Sequence, residues 1–203
     1  MKYIKQIHEA LQEIEDCFAE NELAYLALTS KIELPIRDRL AYLLYKKSES
    51  VQDLLISREW KRFDLALLEN SAPSLILEAK AMYSFDMFTR NGPNIYPSKI
   101  QNDVEKFAKY SSANTENSVP EFYTLLLATH PNSPPQRSLD IVVKYNRGIN
   151  NYKPPSKNEF LKKVDEYFHK HKQYASGEIK GGIAFGVDVS VFYWIFGPYH
   201  DLT

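Results

Sequence analysis

Apolar residues recur at steps of three and four positions in the first quarter of the chain, the period of a helix with one buried face. The spacing of Ile4 and Ile7 with the apolar residues that follow predicts a single helix over residues 3–28, with glutamates on its polar side. A second helix is predicted over 34–47, with leucines inward and Arg37 among the outward residues.

The pattern changes to that of extended chain after the second helix. The runs 54–60, 63–68 and 75–79 are short and rich in apolar residues, and they predict three strands. The connection between the last two contains Asn70–Pro73, a turn-forming sequence that predicts an antiparallel hairpin. We therefore expect a three-strand meander in this part of the chain.

Helix and strand patterns follow each other again after the meander. A helix is predicted over 98–111, where Ser98 and Gln101 have the spacing of a capping box. The continuous apolar run 122–129 is typical of a strand that is buried on both faces. The meander is thus followed by one helix and one strand.

The last third of the chain predicts two further elements. Residues 156–172 have a helical pattern that begins with a second capping box, Ser156 and Glu159. Residues 183–196 are rich in β-branched and aromatic side chains, which predicts one long strand or a bent pair of strands.

The order of these elements predicts an α/β fold with a mixed central β-sheet flanked by helices. No repeat, linker or low-complexity tract divides the chain, so we expect one domain over residues 1–203. Within it, 1–30 would form an N-terminal helical arm, 31–130 the core, and 131–203 a C-terminal extension that completes the sheet.

Composition narrows the class of protein. The chain has 25 basic and 26 acidic residues, so any surface for a polyanion must come from local clustering of lysine and arginine. Its single cysteine, Cys17, excludes an internal disulfide and a cysteine-based zinc site. The longest apolar run, Val191–Phe196, is too short to span a bilayer. We expect a cytoplasmic protein that does not use a membrane as a partner.

Candidate chemistry lies on the second and third strands of the meander. A hairpin that closes near Ser71 and Ala72 would set Asp64 opposite Ala79 and diagonal to both Glu78 and Lys80. Glu78 and Lys80 are two positions apart, so their side chains project from the same face of a strand. The sequence therefore predicts that two carboxylates and an ammonium converge at the open end of the hairpin.

This trio suits the hydrolysis of a phosphodiester. Asp64 and Glu78 can hold Mg²⁺ through oxygen ligands, and the backbone carbonyl of Ala79 could add another. Lys80 could orient the attacking water, assist its deprotonation or offset charge on the phosphate. The alternative is an exposed ion pair between Glu78 and Lys80 on an edge strand, with Asp64 in solvent. The apolar neighbours favour central strands, where charges are costly unless paired or metal-bound.

Asp64, a gap of thirteen residues and then Glu78-Ala79-Lys80 resembles the motif of the PD-(D/E)XK superfamily, the restriction-endonuclease-like nucleases. That core has the order helix, three-strand meander, helix, strand (αβββαβ), and the resemblance covers roughly residues 30 to 130. Phe63 stands where the motif's name places proline. The resemblance implies Mg²⁺-dependent cleavage of DNA, less often RNA, with Asp64, Glu78 and Lys80 as the catalytic residues and Mn²⁺ as a substitute ion.

The resemblance also implies residues outside the trio. Glu33 would add a metal ligand from the first core helix; alternatively it forms a capping box with Ser30. Gln101 lies with Asp103 and Lys106 on the helix that lines the cleft in such proteins, so we expect Gln101 to be a cleft-lining residue, although it is also the capping partner proposed above.

A basic segment with interleaved tyrosines is the candidate nucleic-acid surface. Lys144, Arg147 and Lys153 could bind a phosphate backbone, although a solvated loop explains them equally well.

We expect a restriction or defence endonuclease, and a homodimer would suit cleavage of both strands of a duplex. The alternative is a non-catalytic nucleic-acid-binding or assembly subunit that retains the fold.

Overall fold

Groups of helices and groups of strands follow each other along the computed structural model, which describes residues 2–48, 53–114 and 119–199. The helices are α1 Lys2–Gln12, α2 Glu22–Thr29, α3 Glu33–Ser48, α4 Gly92–Ala113, α5 Asn146–Tyr152 and α6 Lys157–Phe168. The strands are β1 Leu54–Trp60, β2 Phe63–Glu69, β3 Ala72–Tyr83, β4 Glu121–Pro131, β5 Gln173–Ala184 and β6 Val187–Phe196. Short 3-10 helices cover Ile14–Cys17, Ser84–Phe88 and Arg137–Leu139.

The six strands form one sheet in the order β1-β2-β3-β4-β6-β5. Only β3 and β4 are parallel to each other, and the other neighbours are antiparallel. The parallel pair requires a crossover, which α4 provides between the two strands. The predicted α/β fold with a mixed central sheet flanked by helices is therefore confirmed.

Alternating residues of the central strands enter two separate hydrophobic clusters, one on each face of the sheet. Leu65 and Leu77 pack with residues of α1, α2 and α3. Ala66 and Ile76, their neighbours along the strands, pack with residues of α4 and α6. This alternation follows from the two-residue repeat of a strand, and it makes three layers, helices–sheet–helices.

The prediction of one helix over 3–28 is wrong. The chain forms α1, a 3-10 turn and α2, and the interruption precedes α2 at Asn21, which has a φ of 63°. Asn21 adopts this left-handed conformation more readily than most residues do. Its side-chain oxygen accepts a hydrogen bond of 2.7 Å from the backbone N–H of Ile183, so a contact with β5 stabilises the break.

The helix predicted over 98–111 begins earlier, at Gly92, so its predicted capping box is wrong. Ser98 lies inside α4, and its hydroxyl donates to the carbonyl of Asn94. The start requires glycine, because a Cβ at Gly92 would lie 1.6 Å from the carbonyl oxygen of Asp86. Pro93 then occupies the first turn, where its missing N–H costs nothing.

The predictions for the last third of the chain are correct in type, and the strand prediction differs in its bounds. The capping box of Ser156 and Glu159 is confirmed at the start of α6. The alternative of two strands over 183–196 is correct, but the first strand, β5, already begins at Gln173 and ends soon after 183. The two strands turn at Phe185 and Gly186, both with positive φ, the conformation of a tight two-residue hairpin. No helix in the described ranges is long and apolar enough to cross a membrane.

Candidate active site

The candidate site lies where β3 extends beyond β2. The pairing of β2 with β3 reaches Leu65 and Leu77, whereas β3 stays paired with β4 as far as Tyr83. Backbone N–H groups along the extension donate to carboxylates: Ala79 N to Asp64 Oδ2 at 2.7 Å, Ala81 N to Glu33 Oε2 at 3.0 Å and Tyr83 N to Asp86 Oδ2 at 3.0 Å. Buried N–H groups need hydrogen-bond acceptors, so acidic side chains lie along this edge of β3.

The register of the hairpin differs by one residue from the prediction. Leu65 pairs with Leu77, which sets Asp64 across from Glu78 rather than Ala79. The cause is a two-residue turn at Asn70–Ser71, tighter than predicted, together with a bulge between Leu67 and Leu68. Directly opposed residues share a face of a sheet, so only the observed register is compatible with Asp64 meeting Glu78.

Glu78 is the most buried carboxylate of the site and is surrounded by donors. It is 6% exposed and accepts a hydrogen bond of 3.1 Å from the backbone N–H of Asp64. The ammonium of Lys80 lies 3.4 Å from it and that of Lys106 lies 3.1 Å away. A buried charge needs such partners, so the two lysines keep Glu78 in place.

Lys80 links β3 to α4 through its ammonium group. Its ammonium lies 2.8 Å from Asp103 of α4 and donates to the carbonyl of Ala79 at 3.2 Å. Burial lowers the pKa of Lys80, but the hydrogen bond to Asp103 and the charges of Asp103 and Glu78 outweigh burial, so the pKa is raised. Lys80 therefore carries a positive charge at neutral pH.

The surroundings of Asp64 disfavour its negatively charged form. Burial and the charge of Glu78 raise its pKa, against the opposing effects of the Ala79 N–H, Lys80 and Arg37. Arg37 lies 3.6 Å from Asp64 but is also paired with Glu59. Two neighbouring carboxylates with an incompletely balanced charge favour the binding of a cation.

The donor atoms fit a hard divalent cation. Asp64 of β2 and Glu78 and the carbonyl of Ala79 of β3 offer oxygen ligands on two adjacent strands, and oxygen is the ligand that Mg²⁺ prefers. Within the described ranges, no group of three or more His, Cys, Asp or Glu side chains is placed to hold a metal. An ion here would thus keep several positions for water or phosphate, as Mg²⁺ commonly does.

An open cleft surrounds these residues. Its floor is the stretch Glu78–Ala81 of β3, and Lys31, Glu33 and Leu34 form the wall at the start of α3. Tyr96 and Lys99 of α4 line the opposite side. Glu33 thus faces the same cleft as Asp64, and its bond to Ala81 replaces the alternative capping role with Ser30, whose hydroxyl donates to Leu26.

Gln101 is not among the residues that line the cleft of Asp64 and Glu78. Gln101 is exposed outside the cleft, and its amide donates to Glu105 on the solvent side of α4. Asp103 and Lys106 contact the floor of the site instead. Because a helix advances about 100° per residue, Gln101 cannot share the inward face of Asp103, two positions later.

The basic segment does not line the cleft. Arg147 lines a separate polar depression beside α5 and pairs with Asp140 at 2.9 Å. Lys144 donates its backbone N–H to the carbonyl of Leu28, and its ammonium lies over the ring of Tyr145. Lys153 follows the end of α5. The structure therefore does not bring Lys144, Arg147 and Lys153 together with Asp64 and Glu78.

Sequence reasoning missed several residues of the site. Arg37, predicted to face outward, is buried and contacts Asp64. Its position four residues after Glu33, one helical turn, was a usable signal. Lys31 and Lys99 gave no signal, because only packing places them on the cleft walls.

Comparisons with family models, with curated proteins and with solved structures gave no match for this chain.

Proposed function

We propose that this chain is a Mg²⁺-dependent nuclease that hydrolyses phosphodiester bonds of DNA. The observation that carries the proposal is the convergence of Asp64, Glu78 and Lys80 in one cleft at the extended end of β3. Two anionic oxygen ligands beside an ammonium form the set that metal-assisted hydrolysis of a phosphodiester needs. Mn²⁺ accepts the same kind of ligands and is expected to substitute.

Asp64, Glu78 and the Ala79 carbonyl are the groups that would hold Mg²⁺, and Glu33 is the further candidate ligand. When bound, the ion supplies an activated water and neutralises charge on the phosphate. The charge of Lys80 already lies between oxygens of Glu78 and Ala79, which supports the view that these atoms attract a cation.

Lys80 acts as a charged donor in this proposal. Its ion pair with Asp103 holds the ammonium group in the cleft, and its role in this proposal is to stabilise negative charge on the phosphate. Asp103 positions Lys80 through the 2.8 Å ion pair. Lys106 positions Glu78 and also donates to the carbonyl of Arg62, which ties α4 to the floor of the site.

The element order supports a restriction-endonuclease-like core. From α3 to β4 the chain has one helix, a three-strand meander, one helix and one strand. Asp64 lies on the second strand of the meander, and Glu78 and Lys80 lie on the third. This is the arrangement of the PD-(D/E)XK superfamily that the sequence resembles. We further propose the restriction or defence subtype, acting on DNA as a homodimer.

The test is cleavage by the purified full chain. Plasmid, linear duplex and single-stranded DNA, and RNA, are incubated with Mg²⁺, Mn²⁺, Ca²⁺ or EDTA. We expect cleavage of DNA with Mg²⁺ or Mn²⁺, and its loss in Glu78→Gln, which keeps size but removes the charge. Glu105→Gln, on the exposed face of α4, is the matched control and should cut normally. Binding without cleavage under any metal would support the non-catalytic subunit instead.

A further inference from the structure

Among the residues that the structure describes, two lysines that line the cleft have no ion-pair partner. Lys31 precedes α3 and Lys99 lies in the second turn of α4, and both line the cleft, half-buried. In the described parts of the chain, neither forms an ion pair, whereas Arg37, Lys80 and Lys106 are all paired with acids. The ammonium of Lys99 lies 4.7 Å from the centroid of the Tyr96 ring, which leaves its net charge unchanged.

The floor between these lysines has an excess of acid. Asp64, Glu78, Asp103 and Glu33 supply four carboxylates, against three cations: Lys80, Lys106 and Arg37. Arg37 is also paired with Glu59, outside the floor. Such a floor repels a phosphate until a divalent cation is bound. Attraction of a polyanion must therefore come from the bound cation together with the unpaired charges on the walls.

We propose that Lys31 and Lys99 bind backbone phosphates of the nucleic acid on the two sides of the phosphodiester that lies over β3. The inference rests on the proposed function, since it assigns the substrate contacts of the same cleft. It also replaces the segment of Lys144 and Arg147 as the principal contact surface. Contacts to phosphates carry no base information, so the two lysines strengthen binding to all sequences equally.

Charge-matched double variants of the full chain test this. The cleft variant is Lys31→Ala/Lys99→Ala; the segment variant is Lys144→Ala/Arg147→Ala; the control is Lys46→Ala/Lys162→Ala, at two exposed helical positions. Affinity for labelled duplex DNA, single-stranded DNA and RNA is measured with Ca²⁺ over a range of salt. In the cleft variant, the slope of log K against log salt should fall by about 1.8 for duplex, or about 1.4 for single strands.

The control and segment variants should keep the parental slope, and Lys31→Arg/Lys99→Arg should restore it. A parental slope in the cleft variant, or an equal loss in the control, overturns the inference. So does a loss confined to the segment variant, or a parent that binds no nucleic acid. Cleavage with Mg²⁺ is assayed separately, so a parent that binds but never cuts rejects the nuclease while the slopes still decide this assignment.

Discussion

Lys80 has surroundings that decide which chemistry it can perform. Its ammonium contacts Glu78, Asp103 and the carbonyl of Ala79, and its pKa is raised despite burial. A lysine in such a setting keeps its proton at neutral pH and acts through its charge. This distinguishes two of the roles considered from the sequence, charge stabilisation and deprotonation of water, and it favours the first.

Lys80→Ala should reduce the rate of cleavage with Mg²⁺ by about a hundred-fold or more, the usual effect of removing a donor at developing charge. Affinity for DNA measured with Ca²⁺ should change little, because the group acts mainly in the transition state. Single-turnover cleavage and equilibrium binding are the two measurements. Lys162→Ala, exposed on α6, is the control. Cleavage at the parental rate would remove Lys80 from the mechanism.

Asp64→Asn should raise the thermal unfolding temperature at pH 7 in the absence of divalent ions. Burial and Glu78 raise the pKa of Asp64 in the folded protein, so folding favours its neutral form. The stability from Asp64 is present below its ordinary pKa of 3.8 and is lost as pH rises through the raised value. The gain from Asp64→Asn should therefore shrink towards pH 4.

Unfolding scans from pH 4 to 8 measure this gain. Asp165→Asn, at an exposed position of α6, should leave the unfolding temperature unchanged at pH 7. Addition of Mg²⁺ should stabilise the parent but not Asp64→Asn, because a ligand bound to the folded state raises its stability. Destabilisation of Asp64→Asn at every pH would contradict the electrostatic account.

At the scale of the element, the extension of β3 beyond β2 brings carboxylates into the site, because its backbone N–H groups need hydrogen-bond acceptors. Its N–H groups would lack partners if they were not bonded to Asp64, Glu33 and Asp86. Two of these carboxylates, Asp64 and Glu33, also line the cleft. Glu33 has two proposed roles: it accepts a hydrogen bond from the N–H of Ala81, and it is a candidate metal ligand. Substitutions of Glu33 can separate the two.

Glu33→Ala should lower the free energy of unfolding by about 1–3 kcal/mol, the cost of leaving a buried donor without an acceptor. The donor is the N–H of Ala81, a residue only 3% exposed. Glu33→Gln keeps an acceptor and should lose less stability, yet it should weaken Mg²⁺ binding if the carboxylate is a ligand. Urea unfolding and isothermal titration with Mg²⁺ measure the two effects. Equal destabilisation by both substitutions would contradict the role of Glu33 as the acceptor for the N–H of Ala81.

At the scale of the whole molecule, the N-terminal helices belong to the main hydrophobic core. Ile4 and Ile7 of α1 are fully buried in the same cluster as Leu65 and Leu77 of the meander. The strands β5 and β6 extend the same sheet past β4. The cleft is thus supported by parts of the chain far from it in sequence, and its geometry depends on the folding of the whole.

Ile7→Ala should lower the free energy of unfolding by about 2–5 kcal/mol, because it leaves a cavity in a fully buried position. Ile141→Ala, at a position 93% exposed, is the matched control and should change stability by less than about 0.5 kcal/mol. Urea unfolding gives both values. A small effect at Ile7 would mean that α1 does not stabilise the sheet.

The sequence by itself determined the type of most elements and the residues of the central trio. Strand runs, the helix that becomes α3 and the capping box of Ser156 depend on neighbours within a few positions, which a single sequence contains. Asp64, Glu78 and Lys80 were found because they lie on two strands joined by a short connection. The shared face of Glu78 and Lys80 followed from the alternation of strand side chains, whereas the face of Asp64 depended on the register of the hairpin.

Only the tertiary structure decided what depends on distant contacts. The register of the hairpin differs by one residue from the prediction because of a tight turn and a bulge. Asn21 adopts its left-handed conformation at the start of α2, where its side chain accepts a hydrogen bond from the N–H of Ile183. Lys31 and Lys99 line the same cleft because α3 and α4 pack beside β3. Local patterns set the type of an element, whereas packing over long separations sets which of its faces forms the site.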